Sequence, residues 1–329
     1  MSTCHDSTQV HPPAPPEADE TNLLDQPTQP IRWLTAEQLN QLNARSDWKG
    51  LRQLAIHLLI LGCSGWTWSW SLTHSPLLAL PALVIYSCSI VAMFAPMHEG
   101  VHRTAFASNR LNEIVAWWAA LLGFYNSTFY RRYHKWHHRY TQIPEKDPEL
   151  SDPRPSTLGQ YWLEISGLPW WIGKIKGHVK VALGQLDGYP FIPEAGQSEV
   201  MRSTRWQLAV YAAGLAISVA VGQPWIVTYW LLPLAVGQPF LRAYLLAEHT
   251  GCTLDDNPLT NTRTTLTLLP IRVLMWNMPF HAEHHLYASI PFHALPAAHE
   301  KLRSYFTRVE SGYINVSRDI VANLPHASW

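Results

Sequence analysis

The feature that most restricts this chain is a spacing. Within FYRRYHKWHHRYT, residues 129–141, His134, His137 and His138 form the pattern HxxHH. The pattern returns at 281–285 as HAEHH, with His281, His284 and His285, and His98 and His102 bracket HEGVH at 98–102. On a helix, residues i, i+3 and i+4 share a face, so each box aims two or three imidazoles at one place. Eight such imidazoles exceed the four ligands of one tetrahedral zinc and suit two metal ions in a shared cage. Incidental surface or core histidines are the bland alternative, but three clusters at helical-face spacing are hard to reach by chance. Any fold for this chain must bring three distant segments to one point.

The apolar pattern says what kind of fold that is. Stretches at about 51–72, 76–97, 206–221 and 225–246 are near the roughly 20 residues that cross a 30 Å hydrocarbon core. The links THS and GQP between them have room only for turns. The expected architecture is an all-α membrane protein: four transmembrane helices in two hairpins, with a cytosolic helical cap built from 98–205 and 247–329. Pro233 and Pro239 predict a kink in the fourth span. Trp66, Trp68 and Trp70 fit either an interfacial belt or core packing. LNEIVAWWAALLGFY, 111–125, is too short to span and suits a re-entrant or interfacial helix. GLPWWIGKIKGHVKVAL, 167–183, reads as a second interfacial helix with His178 on its surface.

Arg131, Arg132, Lys135, Arg139 and Lys146 lead a basic excess over 126–205, which places the boxes on the cytoplasmic side. The expectation is a multi-pass integral membrane protein with cytoplasmic N- and C-termini. Residues 1–30 are polar and proline-rich and read as a disordered tail, His5 and His11 being bystanders in it. A short amphipathic helix is expected over 31–46, and 31–329 is expected to form a single domain. Net charge is zero, which offers nucleic acid no electrostatic footprint. Cys4, Cys63, Cys88 and Cys252 lack ligand spacing and fit a reduced, cytosol-facing site. The N-terminus has no secretory signal pattern.

Other residues gather around the boxes. His249, in LLAEHTG, ends the fourth span on the same side and is a ninth candidate ligand. His293 and His299 lie outside the box spacing and suit packing or support, while His57 stands alone inside the first span. Metal-bound imidazoles usually donate their other N–H to a carboxylate or carbonyl, which makes Asp147, Glu99, Glu248 and Glu283 candidate partners. Plain solvated carboxylates are the alternative for each. A cage of neutral imidazoles lacks the anionic ligands of a carboxylate-bridged pair. An oxidisable metal with open positions beside a bilayer points to O₂ chemistry on a buried hydrocarbon chain, for which iron is suited and zinc is not. Trp136, Trp276, Met278 and Phe280 are expected to wall a channel for that chain.

HEGVH, HKWHH and HAEHH resemble the three histidine boxes of the membrane fatty acid desaturase and hydroxylase superfamily, over about residues 90–300. AEHTG, NTRTT and WNMPFHAEHH resemble a bacterial and fungal branch that includes an oxygenase of rhizopine breakdown. The resemblance implies four transmembrane helices under a cytosolic cap that holds two iron ions. His98, His102, His134, His137, His138, His281, His284 and His285 would be the catalytic metal ligands, with His249 as an additional one. It implies O₂ as co-substrate and an acyl-lipid substrate that gains a double bond; hydroxylation of a lipid or other hydrocarbon-like metabolite is the alternative on the same boxes. Three residues separate the histidines of the first box, as in acyl-lipid enzymes, and the third begins with His281 where front-end desaturases have glutamine. No HPGG motif occurs, so electrons would come from a separate ferredoxin or cytochrome b5.

A rival from another class is available, because HEGVH also satisfies HExxH. In a zinc protease Glu99 would be the general base, and LDG at Leu186–Gly188 would supply an aspartate. That reading leaves both HxxHH boxes without a role.

Overall fold

The computed structural model describes residues 33–151 and 154–325; the expected tail and the first residues of the 31–46 helix lie outside them. What remains of that helix is α1, Ala36–Leu42, closed by a capping box in which Thr35 and Gln38 satisfy each other's backbone N–H groups. From Leu34 onward the described residues gather into one compact unit.

Its frame is helical. Ser46 caps α2, Asp47–His74, and Ser75 alone separates it from α3, Pro76–Val91, so the two pack as an antiparallel hairpin. After a two-residue break α4, Phe94–His102, continues in the same direction, and HEGVH is its last turn and a half. Pro76–His102 is the one run among the described residues that is long and apolar enough to cross a membrane. α5, Asn109–Gly123, has 15 residues, about 22 Å at 1.5 Å each, too short to cross. Asn126 caps α6, Ser127–Tyr140, by accepting from the Thr128 and Phe129 N–H groups, and this sets the start of the helix that carries the second box.

α7, Leu158–Ile165, and α8, Leu168–Ala182, lead to α9, Glu194–Ala220, which begins well before the apolar segment expected from 206. A π-helical turn, Val227–Leu231, then opens α10, Leu232–His249. The expected proline kink is thus a register change. Pro233 has no N–H for the carbonyls four and five residues before it. Those carbonyls are taken up from outside: Trp68 Nε1 donates to Thr228 O at 3.2 Å and the Tyr86 hydroxyl to Tyr229 O at 2.8 Å. The three tryptophans of α2 therefore divide, with Trp68 buried and Trp66 and Trp70 facing outward. Leu59, Leu77, Leu80, Ile85, Leu215 and Val219 continue the exposed apolar surface along α2, α3 and α9. Exposed apolar area on that scale marks an interaction surface.

The remaining elements are short: α11, Leu269–Leu274; α12, His281–Leu286; α13, Leu295–Leu302; α14, Tyr313–Ala322. The expected all-α fold is modified by one small sheet. β1, Thr264–Leu266, pairs in parallel with β2, Val309–Ser311, in the register Thr264↔Val309. The pair ties the segment before the third box to the one that leads into α14. The main core lies between α3, α4, α5 and α10, beneath the histidine boxes.

Candidate metal centre

Three helix ends and one short helix deliver the histidines. His98 and His102 stack a turn apart on α4, and His134 and His138 do the same on α6. His249 is the last residue of α10, and α12 consists of the third box. Ligand atoms of His98, His102, His134, His138 and His284 all lie within 4.8 Å of one another. Those of His137, His249 and His285 form a second such set. His281 adjoins the second set, its Nε2 standing 3.2 Å from Nε2 of His249. All nine histidines singled out in the sequence are thus brought together, in two neighbouring nests.

The nitrogens are placed as ligands are. His134 and His138 approach Nε2 to Nε2 at 3.0 Å, and His138 and His284 at 3.1 Å. Two nitrogens bound at roughly 2.1 Å to one ion lie about 3.0–3.4 Å apart at right-angled or tetrahedral geometry, so these separations fit a shared metal. Nε2 of His102, His137 and His285, and both ring nitrogens of His98, are buried without a hydrogen-bond partner. Orphaned buried nitrogens are costly unless something completes them. Burial, then neighbouring imidazoles, push His134, His138, His281, His284 and His285 well below the ordinary histidine value. His249 falls to about 3 for the same reasons. These rings are neutral near pH 7, with lone pairs free for a cation.

The supporting partners come from the carboxylates and from unexpected places. Asp147 Oδ1 accepts from His137 Nδ1 at 2.8 Å, while its other oxygen accepts from the Gln142 N–H. Burial pulls His137 down, but Glu149 and Asp147 carry it net upward, and His137 in turn lowers Asp147 against its own burial. Glu248 lies 3.3 Å from His281 Nδ1. Glu99 behaves differently: it accepts from the Thr104 hydroxyl and the Phe292 N–H and stays 3.9 Å from His98. Glu283 binds His299 and Thr264, fixing α12 from behind, which gives His299 its supporting role.

Sequence reasoning missed three things. NTRTT builds the seat of His249: the Asn261 carbonyl accepts from its Nδ1 at 3.1 Å, and buried Arg263 caps α10 at the Ala247 and Thr250 carbonyls. Glu149, two residues past Asp147, brings a carboxylate oxygen within 4.8 Å of His134 and His137 ligand atoms. The DPE triplet was its signal, since Asp147 caps the 3₁₀ turn that presents it. His178, expected on the surface, is buried and stacked on Phe124 at 4.8 Å.

Residues 73–316 match the family profile described as fatty acid desaturase. The chain belongs to the fatty acid desaturase family. It is similar, at 24% identity over 246 residues, to an sn-1 oleoyl-lipid 12-desaturase of Picosynechococcus sp., the match covering 69% of this chain and 69% of that relative. The chain is accordingly a fatty acid desaturase-like oxidoreductase. All nine histidines fall inside the family match.

The family reading also fits what the protease reading leaves over. Asp187 of the LDG triplet is exposed on the loop after α8 and belongs to no group of candidate ligands among the described residues. The proposed channel walls need correction. Trp276 and Met278 are fully buried in the main core, and Trp136 packs in a separate cluster with Phe129 and Tyr133, so the four do not form one wall. Trp276 instead donates to Nδ1 of His57, whose Nε2 faces the Ser89 carbonyl at 2.9 Å. His57 is a satisfied core histidine. A cleft of about 90 Å³ lined by His138, Arg139, Thr141, Asn261 and His285 reaches the nests from outside.

Proposed function

We propose that the chain is a membrane-bound, O₂-dependent diiron desaturase that introduces a double bond into the acyl chain of a lipid. The observation that carries this is the pair of adjoining histidine nests, buried and with unpaired ring nitrogens, in a chain of the desaturase family. His98, His102, His134, His138 and His284 would hold one ion, and His137, His249, His281 and His285 the other. Bound iron would supply O₂ activation and the removal of hydrogen from an unactivated methylene, chemistry that zinc lacks.

The protein's own part is positioning and exclusion. Asp147 and the Asn261 carbonyl hold His137 and His249 by Nδ1, and Glu248 stands 3.3 Å from Nδ1 of His281, leaving Nε2 for the centre. Tyr130, stacked on His134 at 5.0 Å, and Phe94, 5.8 Å from His98, close the apolar side of the first nest. In this reading the helices at 51–72, 76–97, 206–221 and 225–246 are the four spans, with both termini and the boxes cytoplasmic. The outward apolar residues of α2, α3 and α9 support that placement. Electrons would come from a separate ferredoxin or cytochrome b5, reaching the centre by the cleft at His138 and His285.

The test is mass spectrometry of total lipids from a host that expresses the chain or its His284→Ala variant. Acyl chains lacking two hydrogens with the wild type and absent with the variant are the expected result. Chains that gain one oxygen would reassign the reaction to hydroxylation, and unchanged lipids with an iron-loaded protein and a co-expressed ferredoxin or cytochrome b5 with its reductase would remove the acyl-lipid substrate.

A further inference from the structure

Outside the nests, two cations converge on one tyrosine. Lys174, on α8, places Nζ 4.3 Å from the centre of the Tyr125 ring. Arg242, on α10, donates from Nη2 to the Tyr125 hydroxyl at 2.9 Å and lies 5.3 Å from the Trp170 ring. Tyr125 is buried, both cations are half-buried, and neither has an ion-pair partner among the described residues. Glu149 acts on both electrostatically but sits against His137, 3.6 Å from its Nε2. Arg242 Nε is buried without a partner. One helical turn earlier Gln238, fully buried, leaves both amide atoms unpaired.

Unpaired polar groups in such a setting are costly, and a charge near the end of an apolar helix marks function by default. The backbone is arranged to make the place. Gly167, the N-cap of α8 at φ +74°, lets α8 approach α10 so closely that a Cβ there would stand 2.7 Å from the Gln238 Cβ. Burial and Arg242 together hold the Lys174 ammonium down to about 7, as expected of a cation whose counter-charge is missing. Ring contacts link the place to the metal centre, Tyr125 edge-on to Tyr130 at 5.9 Å and Tyr130 stacked on His134 at 5.0 Å.

We propose that Lys174 and Arg242 are an anchor for an anionic group, a carboxylate or a phosphate, at one end of the substrate, with the Gln238 amide beside it. The inference rests on the desaturase reading for calling the ligand a substrate. It narrows the substrate class to acyl compounds with an anionic end, attacked within reach of that end. The anion's two sources, a headgroup phosphate and a free acid, share this chemistry.

The test is equilibrium binding of palmitate, hexadecyl phosphate and hexadecanol to the full-length protein in neutral detergent. The anions should bind at least about tenfold more tightly than the alcohol. A stronger phosphate points to a headgroup and a stronger palmitate to a free acid. Lys174→Gln with Arg242→Gln should lower the anions to the alcohol's affinity, and Arg242→Lys should retain the preference. Equal affinity for alcohol and anions in the wild type overturns the anchor, as does a folded double variant that keeps the preference. If the double variant does not fold, the wild-type comparison decides alone. Iron content and lipid products from the same preparations keep the two readings apart. Anion preference without iron or product leaves the anchor and removes the diiron reading, whereas iron and product without preference removes the anchor.

Discussion

The two histidine nests are held by different forces. In the first, His98/His102 and His134/His138 are helical i,i+4 pairs, oriented by packing against each other and against Phe94 and Tyr130. Its best polar support is a long Tyr130–His134 contact of 3.4 Å. In the second, three of the four rings are tied to a polar partner on a loop or turn: His137 to Asp147, His249 to the Asn261 carbonyl, His285 to Thr141 at 3.2 Å; His281 has only Glu248, 3.3 Å away on α10. Helix periodicity and packing build one nest, and hydrogen bonds to side chains and backbone of loops and turns build most of the other. Substitutions outside the ligands should therefore damage the second nest and spare the first.

The largest effect marks the reference point. His284→Ala removes a ring that lies 4.6–4.8 Å from those of His98, His102 and His138. On the proposed diiron reading, iron per chain, measured by elemental analysis, should fall from about two to one or fewer, and lipid product should disappear. Asp147→Asn comes next and tests the second nest alone. It leaves His137 without its anionic partner, so iron affinity there should fall roughly 10–100-fold while the first nest stays loaded. Equal loss from both nests would erase the distinction.

Arg263→Leu probes the same nest from further away. It uncaps the end of α10 and frees the Asn261 segment beneath His249. A melting temperature lowered by several degrees, with iron lost first from the second nest, is expected; removal of a buried, hydrogen-bonded cation costs about 3 kcal/mol. Acid should act on both nests through histidines whose folded values are depressed. Their contribution is complete above the ordinary value of 6.5 and is lost as pH falls from there towards about 3, the value of His249. His137, raised in the folded chain, works in the opposite sense: its contribution grows as pH falls through its folded value to 6.5 and is constant below that, so it does not offset the loss at lower pH. Melting temperature of the metal-free protein measured from pH 7 down to 4 should decline steadily; a flat profile would mean the nests are already charged or open to water.

The difference between the nests is also a difference in legibility. HxxHH and HxxxH are helix-face spacings, so the His98/His102 and His134/His138 pairs and the helices α4 and α6 can be read directly from residue order, but not the split that sends His137 and His285 to one nest and His138 and His284 to the other. His249 needed its place at the end of an apolar segment, and its seat on Asn261 and Arg263 was visible only as the string NTRTT, with no local rule to give it meaning. Glu149 was missed because its approach to His137 depends on a 3₁₀ turn. Anchors such as Lys174 and Arg242 lie on separate helices, and nothing in either segment states that they meet over Tyr125. Periodicity reports the faces of helices well. It is silent about which loops close against them.

The smallest prediction concerns the opposite end of the molecule, where the same division recurs. Pro233 deprives the start of α10 of a donor, and the chain responds with a π turn whose free carbonyls are served by Trp68 and Tyr86. Tyr86→Phe removes one of these bonds without changing the shape of the core, so it should cost about 1 kcal/mol, read as a melting temperature lower by a few degrees. Pro233→Ala restores an N–H and allows the helix to recover a regular register. In that background the same Tyr86→Phe change should cost less, and the shortfall measures how far the hydroxyl compensates the proline. Iron content should stay constant throughout, because this bond lies far along α10 from His249. If iron fell with Tyr86→Phe, the hydrogen-bonded second nest would be sensitive to the whole length of α10, and its dependence on polar ties would extend well beyond Asp147 and Asn261.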